Sequence, residues 1–176
     1  AQAAKDKRGV ALPVNPPETV TEAAKGQGLQ VQVTKLEPLF WMEAAQELGN
    51  HSGGEPCIFP HIEPLASLGE LFSLVSSGQV ALSSWQGKTH MKTAKVPCPW
   101  SEKGTVMRKL MENADPERTL YFDGIKEHTG SGWALVVPDD DEPVFRLYSE
   151  ARTEAEAAGL IQHYTDLIRS YERQDK

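Results

Sequence analysis

The chain has 176 residues, and its 18 basic against 25 acidic side chains leave a formal charge of −7, which argues against nucleic acid as a main partner. At 39% hydrophobic and 24% charged the composition is that of a soluble globular protein with room for one ordinary domain or two small ones. No apolar stretch nears the ~18 residues that cross a bilayer, and the opening AQAAKDKRG lacks a secretory apolar run, so the expected location is cytoplasmic with no membrane partner.

The first half alternates strand and helix signals, the order of a layered α/β unit. Val10, Leu12 and Val14 alternate in a short strand that stops at Asn15-Pro16-Pro17-Glu18. There Asn15 is the expected cap of a helix, with the prolines in its first turn and Glu18 answering the cap. The helix is expected to end near Gly26 and Gly28. Val31 and Val33 give a second period-two run, and after Pro38 the residues Phe40, Trp41, Ala44, Ala45 and Leu48 recur at helical spacing up to Gly49. From His51 the text HSGGEPCIFPHIEP breaks regular structure and predicts a loop with one short strand, Cys57 to Phe59. Leu65, Leu68, Leu71, Phe72 and Val75 then mark one apolar helix face, closed by Ser76-Ser77-Gly78. A short helix across Val80 to Trp85 follows, and the domain boundary is placed near Gly87 to Thr89.

The second half has a different order. A strand from His90 to Val96 ends in Pro97-Cys98-Pro99, and Ser101 is the expected cap of a helix carrying Val106, Met107, Leu110, Met111 and Ala114, stopped by Asp115-Pro116. Three strands follow: Leu120 to Glu127, Trp133 to Val137 and Val144 to Ala151. Thr153 and Glu156 form a capping box ahead of Ala157, Leu160, Ile161, Tyr164, Leu167, Ile168 and Tyr171, the clearest helical pattern in the chain. This half reads as an α+β sheet with helices on one face. Lys103 and Arg108 alternate with Glu102 and Glu112, which reads as a solvated helix face. Trp41, Trp85, Trp100 and Trp133 are scattered through separate elements and read as packing residues.

Two cysteines, Cys57 and Cys98, are too few for a disulfide framework and read as reduced, partly buried thiols. His51, Cys57 and His61 lie within one short stretch, but they match no familiar zinc spacing and supply three ligands where a structural site takes four. No metal site is assigned.

The stretches Asp123-Gly124-Ile125-Lys126, Gly132-Trp133-Ala134-Leu135-Val136 and Asp141-Glu142-Pro143-Val144-Phe145-Arg146-Leu147-Tyr148 resemble the C-terminal domain of the phosphohexomutases, the family of phosphomannomutase and phosphoglucomutase. Gly53-Gly54-Glu55 resembles the sugar-recognition loop of that family's third domain. Val96-Pro97-Cys98-Pro99-Trp100 with Lys103-Gly104-Thr105-Val106-Met107-Arg108 further resembles bacterial proteins that fuse a sugar-nucleotidyltransferase to a phosphohexomutase-like region. The resemblance implies an α/β plus α+β chain: a three-layer-like βαβα third domain over residues 1–88 and a small sheet-plus-helices, TBP-like fourth domain over 89–176. The family's phosphoserine and magnesium-binding aspartates belong to first and second domains whose motifs are not in this sequence. The expectation is therefore a half that does not transfer phosphoryl groups alone and holds no cofactor.

Two ligand loops would remain. In the family the sugar loop reads Gly-Glu-x-Ser-Gly-His; here Gly53, Gly54 and Glu55 match, and Pro56-Cys57-Ile58-Phe59 replaces the rest. A carboxylate such as Glu55 suits paired sugar hydroxyls because it accepts on two oxygens. The phosphate loop normally reads Arg-x-Ser-x-Thr-Glu-Pro; here Val137, Asp139 and Asp141 stand ahead of Glu142-Pro143. Each like-charge pair at ~4 Å opposes phosphate by ~1 kcal/mol even in water, so phosphate binding by this loop is expected to be lost. The acidic run Asp139 to Glu142 has hard oxygen ligands but no EF-hand spacing, and an exposed, solvated turn is expected. Arg146 is expected to pair with a carboxylate in the sheet.

The expected function is the C-terminal half of a phosphohexomutase-like protein in mannose or glucose phosphate metabolism, non-catalytic alone and structural or regulatory. Its partners would be the missing N-terminal domains or a partner chain, with hexose phosphate as the small-molecule candidate. Two alternatives stand beside it: an active part of a phosphomannomutase or phosphoglucomutase once joined to the missing domains, and an oligomerisation or interaction module built on the long C-terminal helix.

Overall fold

The computed structural model describes residues 9–52, 65, 69, 72–73, 75–78 and 89–173. The chain divides into two compact units, Ala1–Gly87 and Lys88–Lys176.

In the first unit β1 (Gly9–Pro13) and β2 (Gln30–Thr34) pair in parallel, with Val10 opposite Val31 and Leu12 opposite Val33. Parallel neighbours need a crossover, which α1 (Glu18–Gly26) supplies. Asn15 does not cap this helix. Pro17 forces Pro16 into an extended conformation, so the start moves to Pro17 (φ −53, ψ 136), which caps with no side-chain bond and accepts from the Val20 amide at 2.9 Å. The helix stops at Gly28 (φ +71), whose amide donates to Lys25 while that of Leu29 donates to Ala24, a Schellman closure that favours glycine.

Helix α2 (Pro38–Ser52) buries Ala44, Ala45 and Leu48. It continues through Gly49, the predicted end, because one glycine costs a helix about 1 kcal/mol and does not stop it alone. Leu65 and Phe72 lie in helical backbone and are exposed, so these two members of the predicted apolar face bury little. The predicted strand at 57–59 and helix at 80–85 lie outside the described residues.

The second unit is a five-stranded antiparallel sheet in the order β3-β7-β6-β5-β4, formed by β3 (His90–Pro97), β4 (Thr119–Tyr121), β5 (Ile125–His128), β6 (Gly132–Pro138) and β7 (Val144–Ala151). The single strand predicted over Leu120 to Glu127 is in fact the hairpin β4–β5. Asp123 (φ 59) and Gly124 (φ 143) turn the chain there, and both torsions lie where side chains are disfavoured.

Helices α3 (Trp100–Asn113) and α4 (Glu154–Arg173) pack on one face of this sheet. Val106 and Leu110 of α3 and Tyr164 and Ile168 of α4 meet Val96, Ile125, Val136, Phe145 and Leu147 in one buried cluster. Ser101 is not the cap of α3, since the fixed φ of Pro99 places the cap two residues earlier, without a side-chain bond. The capping box of α4 forms as its sequence requires: the Thr153 amide donates to Glu156 at 3.0 Å and the Glu156 amide to Thr153 Oγ1 at 3.2 Å. Its apolar face packs inside this unit.

Candidate functional site

The loop between β6 and β7 is the point at which sequence and geometry converge. Its bounds are set by the ladder: Pro138 pairs with Phe145, and the Asp139 amide donates to the Val144 carbonyl at 3.1 Å. Five residues, Asp139 to Pro143, then reverse the chain between the two strands.

The Asp139 side chain, 2% exposed, organises that reversal. Its Oδ1 accepts the amides of Asp141 at 2.9 Å and Glu142 at 2.8 Å, while Oδ2 accepts the Nε–H of Arg146. Arg146 can reach it because the antiparallel register places Arg146 opposite Val137, two residues before Asp139. Burial alone would raise the Asp139 pKa, but the two amides and the guanidinium outweigh it and hold the carboxyl at about 2. The same hydrogen bond keeps Arg146 more firmly protonated than a free arginine.

Lys103 closes the loop from the other side. It is 7% exposed, and its Nζ donates to the carbonyls of both Asp139 and Glu142 while lying 3.8 Å from the Trp100 ring centroid. The solvated-face reading of Lys103 therefore fails. Its position was legible in one respect, because Lys103, Val106 and Leu110 fall at i, i+3 and i+7 on the inward stripe of α3. Arg108 is exposed, as that reading had it. Lys95 of β3 adds an ion pair to Glu142 at 2.7 Å.

The acidic run is thus not one solvated turn. Asp140, Asp141 and Pro143 are exposed, Glu142 is half-buried and paired, and Asp139 is buried because two amides and a cation meet it. Cation binding fits this arrangement poorly, since both Asp139 oxygens already have partners. Among the described residues no three His, Cys, Asp or Glu side chains gather closely enough to hold a metal.

The predicted sugar-loop residues Gly53, Gly54 and Glu55 lie outside the described residues, as do Cys57 and His61. Cys98 is a buried free thiol whose pKa is raised, first by burial. Trp133 is buried and Trp41 is half-buried, but Trp100 is 54% exposed and serves as a lid on Lys103 rather than as core. Among the described residues no helix is long and apolar enough to cross a membrane.

No protein-family model matches the chain. It is 29% identical over 175 residues to a probable phosphoglucosamine mutase from Methanopyrus kandleri, a match covering 91% of this chain and 38% of the relative. A probable phosphoglucosamine mutase from Thermococcus gammatolerans is 32% identical over 80 residues, 43% of this chain and 18% of the relative. Among solved structures, a phosphoglucomutase/phosphomannomutase family protein from Burkholderia thailandensis aligns over 98% of this chain and 40% of its own, with TM-score 0.72 and 13% identity. N-acetylphosphoglucosamine mutase of Aspergillus fumigatus, solved with GlcNAc-6P and magnesium, aligns over 97% and 41% with TM-score 0.53 and 14% identity. The chain is similar to phosphohexomutases, matches part of their fold and spans about two fifths of the length of the Methanopyrus relative and of the two solved structures.

Proposed function

We propose that this chain supplies the third and fourth domains of a phosphohexomutase-like polypeptide and that its fourth-domain loop no longer grips a sugar phosphate. One observation carries the reading: the Asp139 carboxylate sits on the Asp141 and Glu142 amides and on Arg146, the groups with which a loop of this kind would meet an external anion. Val137, where the family motif has arginine, is buried and contributes no charge.

On this reading the chain is non-catalytic alone, and its role is structural or regulatory within carbohydrate phosphate metabolism. Its partners are the remaining domains of its own polypeptide or a second chain that supplies them. Any magnesium belongs to those domains. The resemblance around Val96 to Trp100 favours a parent that also carries a sugar-nucleotidyltransferase.

Calorimetry of the chain with mannose 1-phosphate and glucose 6-phosphate tests the proposal, and no saturable heat is expected. The parent polypeptide is then assayed for interconversion of hexose 1- and 6-phosphates. Turnover abolished by Glu55→Gln would establish the active alternative and overturn this reading.

A further inference from the structure

We infer that α3 carries a second, outward seam through which two copies of this chain pair, their helices antiparallel about a two-fold axis between Thr105 and Val106. The inference goes beyond the proposed function and does not depend on it.

Lys103, Val106 and Leu110 occupy the inward stripe of α3. Roughly a quarter-turn round the helix stand Trp100, Gly104, Met107 and Met111, four, three and four residues apart and confined to an arc of about 60°. This is the spacing of a coiled-coil seam. Met107 is half-buried at the edge of the core, whereas Trp100 is 54% and Met111 47% exposed. Lys103 covers only one face of the indole. Between the two large side chains Gly104 leaves a notch open to solvent. A Cβ there would meet nothing within 4 Å, so no contact inside the chain requires a glycine in mid-helix, where it weakens the helix.

The seam has the same spacing read in either direction, and this makes a second copy its fitting occupant. With the helices antiparallel, Trp100 lies against the partner's Met111, an aromatic–thioether contact, and the partner's Met107 enters the notch at Gly104. The two-fold axis makes each contact twice. Exposed Arg108 stands one turn from Met111 and reaches the open face of the partner's indole. Charge favours the same surface. The helix carries three basic against two acidic side chains in a chain of formal charge −7, so two copies repel each other least across it. Helices of 14 residues give a contact only about 21 Å long, at the small end of protein interfaces, and the association is correspondingly weak.

Sedimentation equilibrium of the chain between about 10 μM and about 1 mM is expected to show a reversible dimer with Kd on the order of 100 μM. Gly104→Gln fills the notch with a side chain that has open space in the single chain, so the fold is kept while association weakens at least about tenfold. Met111→Lys places a charge at an exposed position and is expected to do the same. Circular dichroism confirms that both variants are folded. Trp100 and Met111 lie about 16 Å apart along one helix, so a proton NOE between the indole and the Met111 methyl group arises only across the pair. It is expected in a mixture of isotope-labelled and unlabelled native chains. A native chain that stays monomeric at the highest concentration overturns the inference, as does a dimer that neither variant weakens or one that lacks this NOE. None of these outcomes bears on the calorimetric test of the proposed function.

Discussion

Trp133 and Glu150 face one another as register partners on β6 and β7, and the indole Nε1–H donates to Glu150 Oε2 at 2.7 Å. Both residues are about 1% exposed, and Thr89 donates to the other carboxylate oxygen. Lys126, on the neighbouring strand, lies 4.0 Å from the Trp133 ring centroid. A buried polar pair of this kind ties the start of the second unit to the middle of its sheet.

Removing the acceptor should therefore be expensive. Glu150→Ala leaves a buried indole N–H unpaired, a loss of about 1–3 kcal/mol, whereas Glu150→Gln keeps an acceptor and retains most of the stability. Urea unfolding of the two variants checks this, with the midpoint of Glu150→Ala clearly below that of Glu150→Gln. Equal midpoints would show that the bond to Trp133 contributes nothing.

Acid should weaken the β6–β7 loop in a defined window. The Asp139 carboxyl lies at about 2 in the folded chain against an ordinary 3.8, so its charged form favours the folded state. That contribution is complete above about pH 4 and is lost as pH falls toward 2. Thermal melts of the native chain and of Asp139→Asn between pH 5 and about pH 2 separate this group from the other carboxylates. The gap between the two melting curves is expected to narrow on acidification, and a constant gap would remove Asp139 from the acid response.

What the sequence disclosed follows the range of the interactions involved. The Thr153–Glu156 capping box and the Schellman end at Gly28 are local, and both form where their residues stand. Asn15 and Ser101 carried the same kind of local signal, yet proline stereochemistry set both helix starts. The role of Asp139 was not legible, because its partner Arg146 lies seven residues away and becomes a neighbour only through strand pairing. Lys103 was hidden by its charge: a lysine on an apolar stripe reads as solvent-facing until two carbonyls appear at its tip.

Gly124 is fixed by space as well as by torsion. Its φ is 143, and a Cβ there would fall 2.2 Å from the Val136 carbonyl oxygen, a backbone atom of the adjacent strand. Gly124→Ala must therefore displace β5 from β6 or reshape the hairpin, and a loss of about 1–3 kcal/mol is expected. Asp123→Gly, which relieves the neighbouring positive φ of 59, should be neutral or mildly stabilising. Chemical denaturation of both variants checks the pair, and a tolerated alanine would mean that the hairpin is loosely held.

Lys103 offers the sharpest separation of charge from packing. Lys103→Met keeps an unbranched stem beneath Trp100 but strips donors from the carbonyls of Asp139 and Glu142. The buried Asp139 carbonyl loses its lysine donor, a destabilisation of about 1–3 kcal/mol, whereas the Glu142 carbonyl keeps the Val144 amide at 2.8 Å and the apolar stem retains its contacts on the inward side of α3. The expected result is a moderate fall in stability accompanied by faster amide hydrogen exchange at Asp141 and Glu142, with exchange at the β6–β7 ladder residues Leu135 and Leu147 unchanged. Lys103→Ala loses the stem as well and should fall further. If methionine behaved like the native lysine in both stability and exchange, the loop would stand on the Asp139 contacts alone, and the lysine would be a packing residue whose charge is incidental.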